Sequence, residues 1–144
     1  PERTHVSGDM VLRLDAPLFW ANCETTHMHI LEAVDTDEAV RALVLDLEAT
    51  GQMDTTTATM LSDLLTELRR RDVELFIARL HYPARVVLEK AGFTDALGSG
   101  HVWHSISQTV KAASLYINGE PLPEVDDAVA WDLESGPQDP GSTG

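Results

Sequence analysis

Residues 42–47 read Ala-Leu-Val-Leu-Asp-Leu, and the polar stretch Gly-Gln-Met-Asp-Thr-Thr-Thr follows at residues 51–57. The first stretch predicts a strand with leucines on one face and Asp46 on the other, so we expect the second face to be incompletely covered. The second stretch predicts a tight turn that opens a helix. Free backbone N–H groups gather at a helix N-terminus, and binding sites are commonly built there.

The helix that follows this corner has a single apolar face. Three consecutive arginines, at residues 69–71, follow the apolar pattern at the predicted end of the helix, where cations suit the negative end of the helix dipole. We therefore interpret the basic run as charge compensation rather than as a binding patch. The apolar face is formed by Ala58, Leu61, Leu64, Leu65 and Leu68.

Similar patterns predict the remaining elements. Strands are predicted at residues 10–14, 18–21, 73–78 and 101–104, and helices after Asn22, from Pro83 and after Ser105. Met28, Leu31 and Val34 are expected to form the packed face of the first helix. Gly92 is expected to end the helix from Pro83 in a left-handed conformation. The order β-β-α-β-α-β-α-β-α predicts an α/β fold whose sheet has parallel neighbouring strands.

Charge and composition limit the classes of function. The chain has 144 residues, 43% of them hydrophobic, which suits one domain with a real core, and its formal net charge is −14. Residues 118–144 contain seven acidic residues and no Lys or Arg, so we expect an acidic, disordered tail. This balance argues against binding to nucleic acid or to an anionic membrane surface, because both need clustered Lys and Arg.

Residues that carry catalytic or metal chemistry are sparse. His27 and His29 point to different sides of a helix, and His101 and His104 lie on opposite faces of a strand, so neither pair predicts a metal site. Cys23 is the single cysteine and is interpreted as a small core residue. No glycine-rich phosphate loop or nucleophile elbow is present. We therefore predict no catalytic residue, no cofactor and no metal.

The corner at Asp54, Thr55, Thr56 and Thr57 has two interpretations. In the first, these side chains form an N-cap cluster that accepts hydrogen bonds from the first helical turn. In the second, the corner is a modification or recognition site, because a phosphoryl group on Thr55 would add about −1.5 to −2 charges beside a helix N-terminus. The sequence contains no base or metal set for self-phosphorylation, so a kinase would have to be a separate protein.

Three motifs together resemble one family. Residues 15–22 (Asp-Ala-Pro-Leu-Phe-Trp-Ala-Asn) resemble the start of the cytoplasmic domain of SulP (SLC26-type) anion transporters. Residues 44–47 with 54–56 resemble the signature of STAS domains, and residues 83–93 resemble the family's Val-x-x-x-Leu-x-(Lys/Arg)-Ala-Gly-(Phe/Leu) helix. In the antagonist branch of this family the phosphoacceptor follows the motif aspartate, and that position is Thr55. Thr57 departs from that branch, which usually has glycine there.

The resemblance implies a STAS fold, a small mixed β-sheet flanked by helices, at residues 9–117. Residues 1–8 are then a flexible N-terminal segment and residues 118–144 the acidic tail. It implies a non-catalytic, regulatory domain of a bacterial SulP-type transporter of sulfate- or bicarbonate-like anions, on the cytoplasmic side of the inner membrane. Its partners would be the transmembrane domain of the same transporter, and a cytosolic protein or a nucleotide. A free-standing anti-sigma factor antagonist phosphorylated at Thr55 is the alternative, and a small α/β enzyme is a third hypothesis.

Overall fold

The computed structural model describes residues 3–6, 10–15, 23–50 and 52–123. These residues form a five-stranded sheet and five helices. The strands are β1 (Arg3–Val6), β2 (Val11–Asp15), β3 (Ala42–Asp46), β4 (Glu74–Ala78) and β5 (Val102–Trp103). The helices are α1 (Cys23–Asp35), α2 (Thr55–Arg70), α3 (Tyr82–Lys90), α4 (Phe93–Leu97) and α5 (Ile106–Ile117). None of the helices within these ranges is long and apolar enough to cross a membrane.

The strands lie in the order β1-β2-β3-β4-β5. β2 to β5 are parallel to their neighbours, and β1 pairs with β2 in the antiparallel direction. The register places Leu12 beside Leu43, and Leu43 beside Leu75, so that apolar side chains continue from strand to strand. The predicted α/β fold with a small mixed sheet and parallel neighbours is confirmed.

Helices cover both faces of the sheet. The leucines of β2 and β3 pack with residues of α1 to α4 in the larger core cluster. On the other face, Val44 and Phe76 pack with Ala112 and Ala113 of α5. All five residues of β3 are buried, and Asp46 is only 4% exposed. The expectation that the face of Asp46 is incompletely covered is therefore wrong, because α5 packs across it.

The central helix follows its sequence pattern. All five residues of the predicted apolar face of α2 are buried. Arg69 and Arg70 lie in the last turn and Arg71 is the C-cap residue, as expected for cations at a helix C-terminus. At the start of the last helix, the Ser105 hydroxyl accepts a hydrogen bond from the Gln108 N–H at 3.1 Å and caps α5. The two clearest helix predictions are confirmed.

Some local predictions are wrong. Met28 is 59% exposed, because α1 buries Thr26, Ile30 and Val34, which are spaced four residues apart and lie on the opposite side of the helix from Met28. Arg3–Val6, placed by the sequence in a flexible segment, forms β1 by pairing with β2.

The chain between α3 and β5 contains a short helix that the sequence analysis did not anticipate. Gly92 has the expected left-handed conformation, with φ of 80°, but it also begins α4 directly. Phe93 and Leu97 of α4 are buried in the larger core cluster. The predicted strand at residues 18–21, the N-cap at Asn22 and the tail beyond Pro123 lie outside the described residues.

Candidate functional site

The corner between β3 and α2 is held in place by backbone hydrogen bonds and by buried side chains. The Leu47 N–H donates to the Ala78 carbonyl at 2.9 Å, and the Thr50 N–H donates to the Leu47 carbonyl at 3.0 Å. Thr50 and Met53 are both buried, at 1% and 9% exposure. Gly51 lies outside the described residues. The chain therefore reaches the N-terminus of α2 with its small and apolar side chains held against the core.

Asp54 is the N-cap of α2. Its backbone is extended, with φ of −101° and ψ of 176°, and its Oδ1 accepts a hydrogen bond from the Thr57 N–H at 2.9 Å. Hydrogen bonds from the backbone and side chain of Thr57 lower the pKa of the Asp54 carboxyl group. This carboxylate satisfies one of the free donors of the first turn. The N-cap interpretation of Asp54 is confirmed.

The three threonines after Asp54 have different environments. Thr55 and Thr56 are exposed on the first turn of α2, whereas Thr57 is 2% exposed. Asp54 is also exposed. The corner thus presents one carboxylate and two hydroxyl groups to the surface, and Thr57 belongs to the packed base of the turn. We call Asp54, Thr55 and Thr56 the recognition corner.

A charged cluster lies at the carboxyl end of the sheet, on the same side as the recognition corner. The Arg79 guanidinium binds both carboxylate oxygens of Asp46, with Nε to Oδ1 at 3.1 Å. Arg13 Nη2 lies 3.6 Å from Asp46 Oδ2, and the Glu48 N–H donates to Oδ1 at 2.9 Å. Burial raises the pKa of Asp46, but these donors and cations outweigh it and the pKa is lowered overall.

Arg79 adopts an uncommon backbone conformation to make this contact. Its φ is 59°, in the left-handed region that non-glycine residues rarely occupy. Its N–H donates to the Trp103 carbonyl at 2.9 Å, so backbone and side chain both hold it. His81 extends the cluster, with Nε2 at 3.1 Å from the Glu48 carbonyl. The cluster joins the ends of β2, β3 and β4 and begins α3.

Sequence reasoning missed this cluster, although one signal for it was visible. Asp46 interrupts an otherwise apolar strand, and a buried carboxylate needs a cationic partner. The partner, Arg79, is 33 residues away along the chain. Its identity depends on which strand lies beside β3, and the sequence pattern does not specify that neighbour.

The histidines that the sequence singled out are dispersed. His27 and His29 lie on α1, and His101 is buried, with its ring stacked on Phe76 at a centroid distance of 4.3 Å. Over the described ranges, no group of three or more His, Cys, Asp or Glu side chains could hold a metal ion. The side chain of Cys23 lies outside the described part of the molecule.

The sequence of this chain matches the model of one protein family. A family model for the STAS domain matches residues 1–113. The chain belongs to the STAS domain family. This membership confirms the resemblance seen in the sequence motifs.

Relatives of this STAS domain are sulfate transporters. A probable sulfate transporter of Mycobacterium tuberculosis (strain ATCC 25618 / H37Rv) is 34% identical over 113 residues, which cover 78% of this chain and 20% of the transporter. Sulfate transporter 3.2 of Arabidopsis thaliana is 26% identical over 137 residues, covering 86% of this chain and 21% of the transporter. The chain thus spans about a fifth of the length of these curated relatives.

Solved structures share the fold. The STAS domain of a SulP transporter from Vibrio cholerae superimposes with a TM-score of 0.60 at 23% identity, covering 75% of this chain and 82% of that one. The murine Slc26a9 anion transporter in its inward-facing state gives a TM-score of 0.60 at 21% identity, covering 72% of this chain and 17% of the transporter. At this level of identity the comparison establishes the fold alone.

Proposed function

We propose that this chain is the non-catalytic, regulatory STAS domain of a bacterial SulP-type anion transporter, on the cytoplasmic side of the inner membrane. The observation that carries the proposal is the 34% identity to a probable sulfate transporter, of which the matched part is 20%. A domain of this size within a transporter acts through contacts with its neighbours. The transmembrane domain of the same transporter is the first partner we propose.

The carboxyl end of the sheet suits such a contact. The recognition corner is fixed by the Asp54 cap and by the buried Thr50, Met53 and Thr57, so it can bind a partner without first losing conformational entropy. The Arg79–Asp46 pair holds the neighbouring strand ends in place. Backbone and hydroxyl groups presented on a rigid surface favour recognition of a protein surface.

The hydrogen bonding and the lowered pKa of the Asp54 carboxylate support a role without catalysis. Its carboxylate already accepts the Thr57 N–H, and hydrogen bonding lowers its pKa. An efficient general base needs a pKa near the working pH and reach to a substrate proton. Asp54 is therefore suited to capping and recognition rather than to proton transfer.

Two experiments test the proposal. The gene sequence upstream of this segment should encode a series of hydrophobic spans, and their absence would overturn it. In the full-length transporter, Thr55→Lys should slow anion uptake into proteoliposomes, because it places a bulky cation on the recognition corner. Thr59→Lys, on an exposed residue one turn along α2, is the matched control and should transport at the wild-type rate. Equal uptake by both variants would contradict a role for the corner.

A second function is favoured by one observation, the exposure of Thr55 in the first turn of α2. We propose as the alternative a free-standing anti-sigma factor antagonist, switched by phosphorylation of Thr55. The helix N-terminus would stabilise the phosphoryl charge, while Asp54 beside it would add repulsion toward a partner. Incubation with a cognate kinase and ATP should add one phosphate, seen by mass spectrometry. Thr55→Ala should abolish the addition and Thr56→Ala should retain it; loss in neither variant would reject Thr55 as the acceptor.

A further inference from the structure

His101 is a buried titratable side chain at the amino end of the sheet, just before β5. It is 6% exposed, and its ring stacks on Phe76 with an interplanar angle of 6°. Its Nδ1 lies 2.9 Å from the Leu75 carbonyl oxygen. Because a carbonyl oxygen can only accept a hydrogen bond, Nδ1 carries the proton of the neutral ring. Nε2 is therefore the atom that takes up a proton when the solution is acidified.

The Nε2 atom faces the turn between α4 and β5. A Cβ added at Gly98 would lie 3.9 Å from Nε2 and 3.7 Å from Cδ2 of the same ring. Within the described part of the chain, the charged and titratable groups near the ring are Glu74 of β4, Arg69 of α2 and Tyr116 of α5. A second proton on the ring thus has one nearby carboxylate to balance it, that of Glu74.

The Glu74 carboxylate is already shared between other groups. Its Oε2 lies 2.9 Å from Arg69 Nη2 and 3.6 Å from His101 Nδ1. Its Oε1 accepts a hydrogen bond from the Tyr116 hydroxyl at 3.4 Å. The same Nη2 of Arg69 donates to the Leu97 carbonyl at 3.1 Å, and Leu97 is the last residue of α4. Through this one nitrogen, Arg69 joins α2 to β4 and to the end of α4.

Protonation of the ring would place two cations beside one carboxylate. The Arg69 side chain is 42% exposed, so water can solvate its guanidinium after it leaves Glu74. The His101 side chain is only 8% exposed, and a buried charge without a partner is costly. We therefore expect the carboxylate to move from the guanidinium to the imidazolium. Because Arg69 uses the same nitrogen for Leu97, its contact with the end of α4 is then lost as well.

We propose that Arg69, Glu74 and His101 form a proton-responsive clamp at the amino end of the sheet. While His101 is neutral, Glu74 holds Arg69, and Arg69 holds the end of α4. When Nε2 takes up a proton, the carboxylate pairs with the imidazolium, and the guanidinium releases α4 and the turn at residues 98–100. The clamp rests on contacts within the domain alone, so it is independent of the function proposed above.

Two clefts border the clamp. One has a volume of about 460 Å³, and Arg69, Glu74 and Tyr116 form part of its lining. The other has a volume of about 320 Å³ and is lined in part by residues 98–100 of the turn. Opening of the clamp therefore changes the charge of the first cleft and the shape of the second.

Nuclear magnetic resonance of the ¹⁵N-labelled full chain, between about pH 8 and about pH 5, tests the clamp. The ring ¹⁵N signals should identify Nε2 as the nitrogen that gains the proton. The Arg69 Nε–H signal should shift with the same midpoint as the ring. The Gly98 N–H donates to the Thr94 carbonyl at 3.1 Å. Its protection from hydrogen exchange, corrected for the intrinsic effect of pH, should fall about two- to fivefold, which is the worth of a partly exposed ion pair.

Two substitutions should move the midpoint of His101 in opposite directions. Glu74→Gln should lower the pKa of the ring, because the carboxylate that favours the imidazolium is removed. Arg69→Gln should raise that pKa, because the competing cation is removed. Arg70→Gln is the matched control, since it removes the same charge from the same turn of α2 at a side chain that is 72% exposed. It should leave the midpoint of His101 unchanged.

Three results would overturn the proposal. An Arg69 signal that stays constant while the ring titrates would show that Glu74 does not change its partner. Equal shifts of the midpoint in Arg69→Gln and Arg70→Gln would show a general effect of charge rather than a contact. A ring that stays neutral down to about pH 5 would show that the three residues do not respond to protons in this range.

Discussion

Asp46 and Arg79 form a two-point ion pair between the carboxyl ends of the neighbouring strands β3 and β4. Asp46 is 4% exposed, and the Arg79 side chain is 35% exposed. The Arg79 N–H also binds the Trp103 carbonyl, so one residue links three adjacent strands. This relationship fixes the end of the sheet from which the chain continues toward the recognition corner.

Replacing Asp46 by Asn should lower the free energy of unfolding by about 1–3 kcal/mol. The reason is that Arg79 would lose its charged partner, and the partial exposure of its guanidinium limits the loss. Urea denaturation followed by circular dichroism would measure the change. Asp35→Asn removes a comparable carboxylate–arginine pair that is exposed at 54%, so it should cost less than about 1 kcal/mol. Equal losses would show that burial of Asp46 does not strengthen its pair.

The same pair should make stability depend on acidity. Because the pKa of Asp46 is lowered in the folded state, its contribution is fully present above the unfolded pKa of about 3.9 and is lost as pH falls through the folded pKa. The unfolded chain takes up the proton first, which favours unfolding. The free energy of unfolding, measured in urea from pH 6 to pH 2.5, should therefore fall less steeply in Asp46→Asn than in the wild type. Parallel curves would contradict this assignment.

Local patterns were sufficient to predict the elements that depend on them. The face of α2 is set by leucines three and four residues apart, and the cap by Asp54, so both were predicted from the sequence. The carboxylate of Asp46 was visible as well, but its burial was not. The second face of β3, on which Asp46 lies, is covered by α5, which comes about 60 residues later in the chain.

Contacts between distant segments of the chain explain why the other local predictions were wrong. Arg3–Val6 becomes a strand only because β2 offers an edge to pair with, and its own composition gives little signal. Met28 satisfies helical spacing with Leu31, yet α1 turns the face with Ile30 toward α2. Thr56 and Thr57 are identical in type and adjacent, and only the direction of the first helical turn decides that one is exposed and the other buried.

Thr55 is exposed like Thr56, whereas Thr57 is buried. A charge added in the first turn of α2 should therefore have different effects at Thr55 and at Thr57. Thr55→Glu should leave the free energy of unfolding unchanged or raise it by up to about 0.5 kcal/mol, because a negative charge suits a helix N-terminus. Thr57→Glu should lower it by more than about 2 kcal/mol, because Thr57 is 2% exposed and the carboxylate would be desolvated. Urea denaturation of the two variants measures both. A large loss in Thr55→Glu would argue against a phosphoryl group at this position.

His101 should give a second pH dependence. Burial is the largest effect on the His101 pKa and lowers it, and Arg69 adds a smaller lowering effect. The hydrogen bond to the Leu75 carbonyl, at 2.9 Å, and the Glu74 carboxylate, 3.6 Å from Nδ1, raise the pKa but do not outweigh burial. The unfolded histidine, with a pKa of about 6.5, therefore takes up a proton before the folded one does. Stability should decline as pH falls from about 7 toward 5.

Replacing His101 by Gln tests this assignment, because glutamine keeps a donor for the Leu75 carbonyl but does not titrate. The free energy of unfolding of His101→Gln would be measured in urea at pH 8, 7, 6 and 5. At pH 8 it should be lower than that of the wild type, because the stacking on Phe76 is lost. Between pH 7 and pH 5 it should change less than that of the wild type. His29→Gln, on an exposed position of α1, should retain the wild-type slope. If His29→Gln flattens the curve and His101→Gln does not, the titrating group is on α1, and the buried ring stacked on Phe76 plays no part in the acid response.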